Sequence, residues 1–294
     1  MRRRAGRATT PAAPARDRRF TGTFVLLCVA AAVLLLPVVW SVSTSLKSPA
    51  DVFLPGLGLI PWHPTLDAYR SVFGAVPFAR YLFNSLVVTT AIVVLNVLFD
   101  SCAAYAFAKL RFPGRSAMFG LLLVTLMIPM QVNLIPLYRM MVWIHLRVPV
   151  LGADTLSGII APSAVQVFGI FLMRQFFASI PDAIIEAARL DGASELTILR
   201  RVILPLARPG LATLTIFTLL RSWNDFLWPL ITINNVDSKT LPLGMTMFFT
   251  RVAGQTPWNQ VMAAATFSVI PVLVLFILGQ RYYVKGIATS GIKG

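Results

Sequence analysis

Charge is what this chain has least of. Of its 294 residues only 13% are Asp, Glu, Lys or Arg, while 57% are hydrophobic; an ordinary soluble domain is about 25% charged. A soluble fold of this length could not hide so much apolar surface from water, so lipid is the solvent for most of it. Acids are scarcest: 11 Asp+Glu stand against 26 Lys+Arg, a balance of +15. Two cysteines, Cys28 and Cys102, both in apolar runs, exclude a disulfide scaffold and read as small buried hydrophobes. Two histidines, His63 and His145, stand alone in loops, and without clustered ligands no metal centre is expected. No convergent set of acids, bases or ligands marks an enzyme. The chain lacks G-x-x-x-x-G-K-[ST] and even a single Gly-Lys pair, so it carries no phosphate cradle of its own. No basic patch is interleaved with stacking aromatics, so the positive balance does not indicate nucleic acid.

What the chain does have is six apolar stretches, each near the ~20 residues a bilayer core requires. They cover about 22–42, 81–108, 118–142, 156–177, 211–233 and 258–280. The expected fold is all-α, a polytopic membrane protein with six transmembrane helices. Polar side chains within several stretches suit helices that line a protein interior. Pro129, Pro136, Pro162, Pro229 and Pro271 lie in or near spans, where neighbours satisfy the carbonyls that proline frees. Residues 1–20 hold seven arginines among Ala, Pro and Thr, and read as a disordered basic tail ahead of an uncleaved first helix. With that tail inside, 18 Lys+Arg fall on the cytoplasmic side and seven outside. This bias puts both termini of a multi-pass protein in the cytoplasm. Neither an internal repeat nor a pair of broken helices is visible, which argues against an ion-driven secondary transporter.

The most informative stretch is the cytoplasmic loop at about 179–205. Ser179 and Asp182 form a capping-box pattern and Pro181 suits a first helical turn. Ile184, Ile185, Ala187, Ala188 and Leu190 give one short helix an apolar, small-residue surface. Gly192 breaks it, Ser194 caps a second, and Leu196, Leu199, Val202 and Ile203 form the second helix's stripe. Pro205 and Pro209 then bend the chain toward the fifth span. Such a bent pair either packs on this protein's own helix ends or docks a partner; the residues alone leave both open.

Glu186-Ala187-Ala188, Asp191-Gly192-Ala193 and Ile203-Leu204-Pro205, at this spacing, resemble the EAA loop of permease subunits of ABC importers. Arg80–Leu86, Trp223–Leu230, Leu241–Gly244 and the tail from Gln280 to Gly294 are similar to the carbohydrate branch. Within that branch the chain most resembles the smaller permease of the maltose and glycerol-phosphate type, over residues 20–294. The aliphatic Leu199 stands near a position that is often aromatic in that family. The resemblance implies a type I importer permease and not an enzyme. Glu186, Ala187, Ala188, Asp191, Gly192, Ala193 and Pro205 would form a loop seated in an ATPase cleft. Glu186 would offer its charge to a basic group there. The implied partners are a homologous sister permease, two ATP-binding cassette subunits that hold ATP-Mg, and an extracellular sugar-binding protein. The cargo is a carbohydrate or sugar-like polyol phosphate, and this chain itself binds no cofactor.

The fifth span adds polar candidates: Arg221, Trp223, Asn224, Asp225 and Trp228. Counted from Leu211, Arg221 is ~15 Å along a helix of ~1.5 Å rise, near mid-bilayer. Spaced i, i+4, Arg221 and Asp225 are expected to pair. The group either lines the translocation path or locks the contact with the sister permease. Asn84 and Gln131, with Asn96, Asp100 and Asn133, are further candidates for either role, and Asp100 has no assigned partner.

Overall fold

The computed structural model describes the backbone of residues 18–53, 58–250 and 256–290, and side chains over the same ranges apart from 18–21, 250, 275, 276 and 278–290. The basic tail therefore lies outside the described residues up to position 17, as do the last four residues of the chain.

The described residues form helices and no strand. Two long apolar helices come first, α1 (Arg18–Ser45) and, after the short α2 (Asp67–Ala75), α3 (Phe78–Lys109). At about 1.5 Å per residue α3 is about 48 Å long, more than the ~30 Å hydrocarbon core, so its ends stand clear of it. The remaining expected spans are interrupted. α4 (Arg115–Val124) and α5 (Met130–Arg147) meet at 99°. Pro129 explains the bend, because the residue before proline is driven out of helical geometry; Ile128 is extended at ψ 114°. α6 (Leu156–Ile160), with a tight turn over Ala161–Ser163, meets α7 (Val167–Ala178) at 43°. Then follow α8 (Asp182–Leu190), α9 (Glu195–Ile198), a π-helical turn over Leu199–Ile203, and α10 (Leu204–Leu206). α11 (Arg208–Trp223) leaves that segment at 84° and is separated from α12 (Leu227–Thr232) by three non-helical residues. α13 (Leu241–Met245), α14 (Met247–Thr250) and α15 (Trp258–Ser290) complete the chain.

Broken spans, absent from the sequence expectation, are thus the rule here. Pro229 accounts for the break between α11 and α12: its ring displaces the carbonyl four residues back, Asp225. Pro162 likewise frees the Gly158 carbonyl, which instead accepts the Trp228 indole N–H at 3.0 Å. Such substitution by a neighbouring helix is what a membrane interior demands.

α3 is the spine. It packs against α7 and α11, while α15 contacts α1, α2 and α11. Apolar clusters sit at both ends of α3. One joins Ala104, Tyr105, Ile170, Met173 and Phe177 to the α8–α10 segment. The other joins Phe78 and Tyr81 to α2, Leu241, Ala263 and Ala264. α1 is apolar and exposed from Phe24 to Trp40, a surface that suits lipid or a partner helix rather than water. The exposed Cys28 and Cys102 belong to such surfaces; they are not core residues, because helices solvated by lipid need not turn small apolar groups inward. His145 likewise lies in the last turn of α5, not in a loop, with Nδ1 3.2 Å from the Leu151 carbonyl.

Candidate functional site

Two constellations stand out, one at the end of α3 and one at half its height. At the end, α8 and α9 form a bent pair. Gly192 adopts φ +79°, a left-handed geometry that a Cβ disfavours. Gly192 N–H donates to the Arg189 carbonyl and Ala193 N–H to that of Ala188, both at 3.0 Å. These are the paired bonds of a glycine-terminated helix end. The Ser194 hydroxyl then accepts from Thr197 N–H at 3.4 Å and caps α9.

Two grips tie the pair to α3. Lys109 Nζ donates to Asp182 Oδ1 and to the Ile180 carbonyl, each at 2.6 Å. One helical turn earlier, the Tyr105 hydroxyl donates to Glu195 Oε2 at 2.5 Å, while Arg189 Nε donates to Glu195 Oε1 at 2.8 Å. The hydrogen bond and charge of Lys109 hold the Asp182 carboxyl below the usual carboxylate range. Arg189, then Tyr105, do the same for Glu195. The expected capping box is not made. Ser179 Oγ donates to the Phe176 carbonyl instead, and Asp182 is claimed by a charge-assisted bond from Lys109, stronger than a neutral cap.

The pair has two faces. Ile185, Ile198, Leu199 and Ile203 are buried against α3 and α7. Ile184, Glu186, Ala187, Leu190 and Leu196 are exposed, Leu190 to 90%. Leu196 was expected on the inner stripe. The π-helical turn after it shifts the register, so Ile198 turns inward in its place. One face of the pair thus packs on this protein's own helices, and the other is exposed.

At half height, a cavity of about 190 Å³ lies between the two helix breaks. Its polar wall comes from Asn96 of α3, Ser163 and Gln166 at the first break, and Arg221, Ser222 and Asp225 at the second. Asn96 and Asp100, one turn apart on α3, splint the first break. Asn96 Nδ2 donates to the Ser163 carbonyl at 2.7 Å, and Asp100 Oδ1 accepts Gln166 N–H at 2.9 Å. Asp100 is fully buried. Its Oδ2 lies behind Gly169, where any Cβ would collide with it, and has no hydrogen-bond partner among the described residues.

The expected Arg221–Asp225 ion pair does not form among the described residues. Asp225 lies beyond the end of α11, so the i, i+4 geometry is lost. Arg221 Nη1 donates instead to Gln166 Oε1, across to the other broken span. Of the sequence candidates, Asn96, Arg221 and Asp225 line the cavity. The others do structural work or stand apart. Trp223 is buried and its indole donates to the Ser268 carbonyl; Trp228 serves Gly158 as described. Asn224 closes the end of α11 through the Leu220 carbonyl. Asn84 donates to the Asp237 and Lys239 carbonyls, holding a distant loop. Gln131 is exposed on α5. Gln166 was missed, although a lone glutamine four residues after Pro162 in an apolar run was a usable signal.

Residues 101–289 match the family described as "Binding-protein-dependent transport system inner membrane component". The chain belongs to that family. This permease is 30% identical over 273 residues to an sn-glycerol-3-phosphate transport system permease protein, UgpE, of Brucella abortus (strain 2308), covering 90% of this chain and 95% of that one. It is 33% identical over 265 residues to the arabinooligosaccharides transport system permease protein AraQ of Halalkalibacterium halodurans, covering 89% and 92%. Among solved structures, a chain of a bacterial ABC transporter involved in the import of the acidic polysaccharide alginate superposes with TM-score 0.80 at 28% identity. The match covers 93% of the permease and 100% of that chain. The fold of the permease is therefore that of an ABC importer's membrane subunit.

Proposed function

We propose that this permease forms, with a homologous sister permease, the path of an ATP-driven carbohydrate importer. The α8–α9 pair docks in a cleft of a separate ATPase. The cargo is received from an extracellular sugar-binding protein, and both termini face the cytoplasm. The carbohydrate reading draws on the sugar-transport names of the relatives. The observation that carries the coupling role is the bare outer face of the pair: Ile184, Leu190 and Leu196 exposed beside Glu186, on a segment whose inner face is fixed to α3. Exposed aliphatics on a segment rich in charge mark a surface that another protein covers. Closure of two ATPases would push a rigid handle, and the packed helices behind it would switch between discrete arrangements.

The test is Glu186→Lys in the intact importer. Uptake is expected to fall to background while the chain still inserts and its sister permease still co-purifies. Normal uptake by this variant would remove the coupling role.

A further inference from the structure

The importer reading leaves open which saccharides are carried, and the cavity between the two breaks bears on that. We propose that this cavity is a sugar-contact site of this subunit and that its ligand is a neutral saccharide ring, not a phosphorylated or uronate sugar. The proposal rests on the importer reading above.

Position comes first. The cavity lies beside Ile92 and Asn96, midway along α3, and between interruptions in two neighbouring spans. Non-helical backbone persists at membrane depth only where it is buried in protein or lines a cavity, and paired half-helices at the midplane are where transporters hold their cargo. Arg221 is exposed on this face. A guanidinium turned to lipid at that depth would cost about 3 kcal/mol, so the face opens on a polar path or a partner.

The donor set is the second point. Gln166, Arg221 and Asp225 offer an amide, a guanidinium and a carboxylate. Sugar hydroxyls both give and accept hydrogen bonds, and this trio supplies both kinds of partner. Capacity is left over: Arg221 uses one bond, to Gln166, and Asp225 Oδ1 accepts only a long one, 3.4 Å, from Trp228 N–H. Phe168 and Phe217, edge to face at 5.8 Å, supply the apolar wall against which the C–H face of a sugar ring stacks.

The charge balance decides the class. One cation and one anion line the cavity. The N-terminus of α7, which would otherwise attract an anion, is already occupied by the Asp100 carboxylate through Gln166 N–H. An entering phosphate or uronate would find no net positive charge to receive it in a poorly screened medium, because the Asp225 carboxylate lines the same cavity as the Arg221 guanidinium. A neutral ring meets only hydrogen-bonding groups.

The experiment uses the assembled complex of this chain with its sister permease and ATPases, in detergent and without the binding protein. Calorimetry would measure binding of maltotriose, arabinotriose and xylotriose against trigalacturonate and glycerol 3-phosphate. At least one neutral trisaccharide should bind and neither anion should. Gln166→Ala and Asp225→Asn should each weaken that binding about tenfold, which is about 1.4 kcal/mol, with the subunits still co-purifying. Tighter binding of an anion, no binding of any neutral probe, or binding untouched by both variants would overturn the proposal. So would loss of assembly in both variants, which assigns the face to the sister permease. Glu186→Lys separates the two readings: it should keep sugar binding and lose uptake. Retained uptake there refutes the coupling and leaves the cavity's chemistry to stand on the binding data.

Discussion

Two side chains on α3, Asn96 and Asp100, show how a membrane helix can be interrupted safely. Each takes one backbone group that the break exposes, a carbonyl by the amide and an N–H by the carboxylate. Stripping one of them orphans its backbone partner in a place without water. Asp100→Leu should therefore lower stability by about 2 kcal/mol, read as a fall in the unfolding temperature of the purified chain in detergent. Gly169→Val should do similar damage by a different route, since its side chain must occupy the space of the Asp100 carboxylate; a cost of about 2 kcal/mol is the overpacking expectation. Asn96 and Asp100 were visible in the sequence as polar residues in an apolar run, but not their task. What they hold lies about seventy residues away and no local pattern names it. The Arg221–Asp225 pair failed for the opposite reason: the spacing was right for a helix, and Pro229 ended the helix between them.

The bent pair α8–α9 was the most legible element. Gly192, Ser194 and the bend toward the fifth span follow from local chemistry, because turn and cap residues act on their immediate neighbours. The grips by Tyr105 and Lys109 did not, because they are tertiary and replace the local cap that the sequence offered. Lys109→Met should loosen the pair from α3, seen as faster hydrogen exchange across residues 182–195 with exchange in the rest of α3 unchanged. The same grips set a pH dependence. The Asp182 and Glu195 carboxyls are held below their ordinary values near 4. Their contribution is thus complete above that value and lost as pH falls through the lower, folded-state value. A spin label at position 190 should report an unchanged, ordered pair from pH 8 down to about 5, then growing mobility in stronger acid. Loosening on the alkaline side of neutrality would contradict the assignment.

Across the whole molecule, the six apolar stretches were readable because hydropathy integrates over twenty residues. Their interruptions were not, because the same average smooths over a proline or an isolated polar residue. The apparent absence of broken helices argued against an ion-driven carrier; the breaks at 164–166 and 224–226 remove that argument, and family membership takes its place. Orientation is open to direct measurement. A single cysteine placed at Leu190 should react with a membrane-impermeant maleimide only in inside-out vesicles, and one placed at Trp62 only in right-side-out vesicles.

The first helix has its own consequence. It is naked from Phe24 to Trp40 and is fastened near its foot, where Ser45 meets the Tyr69 hydroxyl at 2.7 Å and Ser41 meets Met262. A mast stepped at one end, leaning on α15 and otherwise stayed by the surrounding oil keeps its upright posture best while that oil is a bilayer. Extraction into micelles should let it sway before anything else yields. Melting curves of the solubilised protein should then show a shallow early loss of helix ahead of the main transition, and added lipid should abolish it.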